Sequence, residues 1–148
     1  QEELRKRDLA EEPPAGGKQE FAYSTANIFD KVLLSTTRRV VITKTDESLL
    51  VASIVDSRFN DDPTYPNQWR PVTRDLSGKL AIGEPRPYEA MGGYVKVTRL
   101  VDPPDGLFVE IHQVFEEPKA WFGGRNLIRS KLPLAVQDGV RRFRREIQ

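Results

Sequence analysis

The chain contains no cysteine. Disulfides, thiolate metal sites and thiol nucleophiles are therefore excluded. His112 is the single histidine. Metal ligation needs a cluster of ligands, and the adjacent carboxylates Asp61-Asp62 and Glu116-Glu117 lack the alternating oxygen pattern of a calcium loop. Neither the Walker lysine motif nor the dinucleotide glycine pattern occurs, and Gly92-Gly93 and Gly123-Gly124 are isolated pairs beside large residues. No serine sits in a nucleophile-elbow context. No cofactor is expected. Long apolar runs are also missing: Val40–Ile42 and Leu49–Val55 are strand-sized, far short of the ~20 residues that span a bilayer. A soluble or peripheral protein is expected. The chain opens at Gln1 rather than Met, which fits either removal of a signal or transit segment or a boundary chosen upstream.

What is present reads as one α+β domain over residues 20–148 behind a charged tail or linker over 1–19. The tail carries Pro13-Pro14 and Gly16-Gly17 and has too few apolar residues to bury a face, although one helical turn is expected near Glu2–Leu9. Glu20–Tyr23 suits a short strand. Ser24 or Thr25 then offers an N-cap, and Ile28, Phe29, Val32 and Leu33 supply one face of a short N-terminal helix. Arg39–Lys44 and Leu49–Asp56 flank the polar turn 45–48 as a hairpin. Apolar residues on both faces of the second strand suggest an interior position.

The stretch 58–90 is rich in proline, which removes ladder donors, so only short edge strands are predicted there, at Trp69–Thr73 and Leu80–Ile82. Tyr94–Val101 and Leu107–Phe115 alternate around Asp102-Pro103-Pro104-Asp105-Gly106, the strongest turn signal in the chain. Leu127, Ile128, Leu132, Val136, Val140, Phe143 and Ile147 recur at three- and four-residue spacings. They predict a helical lead-in at 125–131 and a main helix from about Pro133, which either kinks the pattern or marks its first turn.

Two features carry possible chemistry. Glu110 and His112 project from one face of a strand and suit an acid–base pair, or simply a polar pair on a solvent face. More informative is the charge. Net charge is only +1, yet from Lys119 onward eight basic residues face only Asp138 and Glu146. Val140, Phe143 and Ile147 take the inward face of the helix, leaving Arg141, Arg142, Arg144 and Arg145 outside. That stripe suits an anionic membrane surface, an acidic protein assembly or simple solvation. It lacks the interleaved aromatics of a nucleic-acid surface, which argues against that partner.

The segment Trp121-Phe122-Gly123-Gly124 through Leu132-Pro133, followed by the basic amphipathic helix, resembles the end of START-like, polyketide-cyclase-like helix-grip domains, mainly over residues 121–147. Ser24–Leu34 is similar to their first helix in position and pattern, and the proline-rich middle departs from the family. The resemblance implies an antiparallel sheet with a short N-terminal helix and a long C-terminal helix packed on it. It implies a non-enzymatic module holding a lipid or other apolar ligand, lined by Val97, Val109, Ile111, Leu132, Val136 and Val140. The alternative is an accessory subunit that docks on a larger assembly or membrane surface through tail, loops and basic helix.

Overall fold

A computed structural model describes Leu9, residues 15–125 and residues 127–146. The turn expected near Glu2–Leu9 lies outside these residues apart from Leu9 itself, as does Ile147. The chain divides into two compact units, Gln1–Glu116 and Glu117–Gln148. The first is an antiparallel sheet and the second is dominated by a helix.

The sheet is eight-stranded. Its strands are β1 (Gly17–Ile28), β2 (Val32–Lys44), β3 (Ser48–Val55), β4 (Gln68–Arg74), β5 (Leu80–Ile82), β6 (Arg86–Pro87), β7 (Met91–Arg99) and β8 (Leu107–Phe115). β1 starts at Gly17, inside the segment read from sequence as linker. The hydrogen-bonded order runs β5-β4-β2-β3-β7-β8, with β1 on β2 and β6 on β4. The expected β2–β3 and β7–β8 hairpins are present, as are the short strands at Trp69 and Leu80.

One expectation is corrected. The segment 24–34 is not a helix but the tip of a hairpin, in which Ser24 pairs with Thr36 and Ile28 with Val32. Thr25, Ile28, Val32, Thr36 and Thr37 are β-branched and fit a pleated, half-buried surface. The turn is fixed locally. Phe29 and Asp30 both take positive φ, 53° and 54°, as a type I′ turn requires. Asn27 holds Asp30 from both sides, donating from Nδ2 to Asp30 Oδ1 at 2.9 Å and accepting from the Asp30 N–H at 3.1 Å. Ile28 and Val32, expected side by side on a helix face with Phe29 and Leu33, instead pair across the hairpin.

The core sits where β2 forks. β1 covers one edge of β2 along its length. On the other edge, β3 pairs residues 38–44 and β4 pairs residues 32–35. Thr36 and Thr37 fall in the gap between the two. There the side chain of Asn67 stands in for a strand: its Oδ1 accepts the Thr37 N–H at 2.7 Å, and its Nδ2 donates to Asp56 O at 2.7 Å and Asn60 Oδ1 at 2.9 Å. Thr37 Oγ1 donates to Tyr65 O at 2.6 Å, and the Thr37 carbonyl accepts from the Asp56 N–H at 3.0 Å. Thr37 and Asn67 are both 0% exposed. Buried polar groups persist only when matched this way.

The loop 56–67 that carries these groups lies over β1. Phe59 packs on Phe21 with ring centroids 5.6 Å apart, and Tyr65 meets Tyr23 edge-on at 5.4 Å. Leu9 joins this cluster. Arg58 places its guanidinium 5.4 Å from the Phe21 ring centre and binds Asp56 with two hydrogen bonds, Nε to Oδ1 at 2.9 Å and Nη2 to Oδ2 at 2.6 Å.

In the second unit, a short 3-10 turn, Trp121–Gly124, precedes helix α1, Leu127–Glu146. Phe122 and Gly123 take positive φ inside that turn, where glycine is the undemanding choice. α1 runs 20 residues as one element, with Pro133 inside it rather than at its start.

Candidate docking surfaces

Three of the six residues expected to line a ligand lie together on the sheet. Val97 and Val109 face each other across β7 and β8, and Ile111 follows two residues on, opposite Val95. Leu49 and Val51 continue the same face on β3, paired with Val97 and Val95. The result is an apolar platform, half-buried at Val97 and Val109 and barer at Leu49 and Ile111, the last 57% exposed. Valine and isoleucine at alternate positions place it there, because successive side chains point to opposite faces.

The reverse face of the same two strands is mixed. Tyr94 and His112 stack with centroids 4.7 Å apart and planes 18° from parallel, and Lys96 stands opposite Glu110. Glu110 and His112 therefore share a face, as their spacing requires, and the imidazole is engaged by a tyrosine ring. β7 and β8 approach closely at Gly93, where a Cβ would clash with the His112 carbonyl oxygen. Only glycine fits there. Tyr88 ties off this end of the sheet, donating from its hydroxyl to Ala90 O and Glu116 O, both at 3.1 Å. Burial and the nearby Glu116 charge push its phenol up to about 12.

Leu132, Val136 and Val140 lie on α1 at four-residue spacing, on one stripe with Ile128 and Phe143. All but Ile128 are exposed. The opposite stripe carries Lys131, Asp138, Arg141, Arg142 and Arg145, with Arg144 beside it. The four arginines expected to meet an anionic surface thus fall together, and with Asp138 they line an open furrow of about 590 Å³. Arg141 Nη1 reaches Asp138 Oδ1 at 3.5 Å between two exposed side chains, a pair worth little in water. One carboxylate facing four guanidiniums leaves the furrow strongly positive. Guanidinium forks suit phosphate and carboxylate oxygens in bidentate geometry.

Sequence reasoning missed two groups of residues. The Thr37–Asp56–Asn67 network was hidden because its partners are separated by long stretches of chain, and Asn67 lies in the proline-rich segment that reads as irregular. Its groups satisfy one another, which marks it as structural. The bare apolar residues Leu107, Phe108 and Val114 on β8 were also missed as a surface. Their signal was present: apolar residues on both faces of a strand.

Among the described residues, no group of three or more His, Asp or Glu side chains is placed to hold a metal. Nor is any helix among them long and apolar enough to cross a membrane. Comparison with protein-family models, curated proteins and solved structures finds no match to this chain.

Proposed function

We propose that the chain is an accessory docking module that attaches to an anionic membrane surface through α1. The observation that carries this reading is the two-sided character of the helix: a bare apolar stripe from Leu132 to Phe143 against a furrow of Arg141, Arg142, Arg144 and Arg145. A helix of this kind lies in the plane of the interface, with its apolar side among the acyl chains and its cations among the headgroups. Each cation near an anionic surface contributes about 1 kcal/mol, falling off within a Debye length.

Co-sedimentation with vesicles tests it. The chain binds phosphatidylglycerol-containing vesicles, releases in high salt and ignores pure phosphatidylcholine. Replacing the four arginines by glutamine lowers the partition at least about tenfold, following the per-charge estimate. Equal binding by the variant, or no binding by the native chain, removes the proposal. In the second case, capture by an acidic protein assembly is the reading to pursue.

A second reading has its own observation, the half-bare platform of Leu49, Val97, Val109 and Ile111. In keeping with the helix-grip resemblance, that face holds a lipid or other apolar ligand. Mild native mass spectrometry of protein from its own source then finds a co-purifying apolar molecule that denaturation releases. A bare chain counts against this reading and leaves the first untouched.

A further inference from the structure

β8 ends the hydrogen-bonded order of the sheet, and among the described residues its outer edge pairs with no strand. Long exposed edges are normally guarded by lysine, proline, a bulge or a cover, because they offer a row of free backbone groups. β8, Leu-Phe-Val-Glu-Ile-His-Gln-Val-Phe, has no lysine, arginine, proline or glycine. Its side chains are bare on both faces, with Ile111 at 57% and Val114 at 74% exposure. An edge of this composition calls for a partner strand.

Which backbone groups face outward follows from the β7 pairing. Leu100 N–H donates to Gly106 O at 2.8 Å, and Glu116 N–H to Ala90 O at 2.9 Å. Hydrogen-bonded and non-bonded pairs alternate along an antiparallel ladder. The even-numbered residues of β8 therefore bond to β7. Leu107, Val109, Ile111, Gln113 and Phe115 turn their N–H and C=O groups outward.

We propose that the partner is a second copy of this chain, joined β8 to β8 in antiparallel register about a two-fold axis at Ile111. The strand is complementary to itself in that register. Ile111 meets Ile111, Leu107 meets Phe115 and Val109 meets Gln113, all through outward-facing backbone groups that exchange hydrogen bonds. On the other face Phe108 meets Val114, and Glu110 meets His112 twice, once on each side of the axis. Carboxylate accepts from imidazole in both pairs. The neighbouring two-fold registers set Glu110 against Glu110 or His112 against His112, placing identical polar groups face to face. Cross-strand pairs of this kind decide register, and an interface in which each patch meets its own copy closes after two subunits.

The absence of native cysteine makes the test clean, because a single introduced thiol is the only one present. In the proposed register the two Ile111 Cα atoms stand about 5.5 Å apart, within disulfide reach. The two Val114 positions lie six residues apart along the strands, about 20 Å. On the full chain, Ile111→Cys forms a covalent dimer under mild oxidation or with a short bismaleimide, and Val114→Cys does not. Sedimentation equilibrium supplies the second readout. His112→Glu sets Glu against Glu at both pairs and weakens the dimer about tenfold. The exchange variant E110H/H112E restores it, which a purely structural role for either residue does not allow. A native chain that stays monomeric across the concentration series overturns the proposal. So does cross-linking at position 114 equal to that at 111, or a dimer indifferent to His112→Glu.

Discussion

The two sides of the sheet solve opposite problems. At the β2 fork the central groups are buried and polar: Thr37, Asp56 and Asn67 are enclosed and satisfy one another through short hydrogen bonds. Along β8 most side chains are bare, and the apolar ones outnumber the polar. The fork shows a polar network stabilising a fold because every member has a partner, where a partly satisfied one would do harm. The β8 side shows apolar groups that contribute little to the fold of a single chain and so are available for contact.

That contrast breaks first at Asn67. Asn67→Leu leaves the Thr37 N–H buried without a partner, at about 1–3 kcal/mol, and removes one of the two donors to the Asp56 carbonyl, which keeps the Phe59 N–H at 3.1 Å. We expect a loss of about 2–4 kcal/mol in urea denaturation; a loss below about 1 kcal/mol means that the fork holds without its amide. A smaller effect sharpens the same side. Arg58, chiefly through its side-chain hydrogen bonds, holds the Asp56 carboxyl below the ordinary carboxylate range. A group whose folded value is depressed contributes stability in full above its unfolded value, near pH 4, and loses it as pH falls through the folded value. Asp56→Asn should therefore cost stability at neutral pH and progressively less in acid. A deficit independent of pH removes the ion pair as the cause. The smallest effect belongs to β8. Val114→Thr, at a bare position, should shift monomer stability by less than about 0.5 kcal/mol, and a larger loss shows that β8 is covered.

Much of the fold was legible where periodicity and turn chemistry agreed. The β7–β8 hairpin follows from alternation around a proline-glycine turn, and the basic helix from its repeating apolar stripe. The same stripe logic misread 24–34, because Ile28, Phe29, Val32 and Leu33 satisfy a helix template while the decisive signal was short-range. Asn27 and Asp30 clasp a tight turn, and the β-branched residues around them prefer the strand. Pro133 does not start the main helix but stands inside it, since one lost hydrogen bond in 20 residues is tolerable. The arginine face was visible because sequence-near residues build it. The fork was invisible because Thr37, Asp56 and Asn67 are brought together only by the topology of β2, β3 and β4.

The register of the strands also has a mechanical consequence. Following the pairs across the sheet, Phe21 lies level with Arg39, Ile54, Gly92 and Val114. Gly17 falls level with Glu110 by the same count, so β1 and β8 point in the same direction. The chain enters the sheet at the start of β1 and leaves it at the end of β8. Tension between those two points, as when the helix is held and the leading segment is pulled, slides the strands past one another in opposite directions. The ladders then bear the load as shear, many hydrogen bonds at once, rather than peeling open one bond at a time. A sheet loaded in this way makes a stiff connector between whatever holds its two ends.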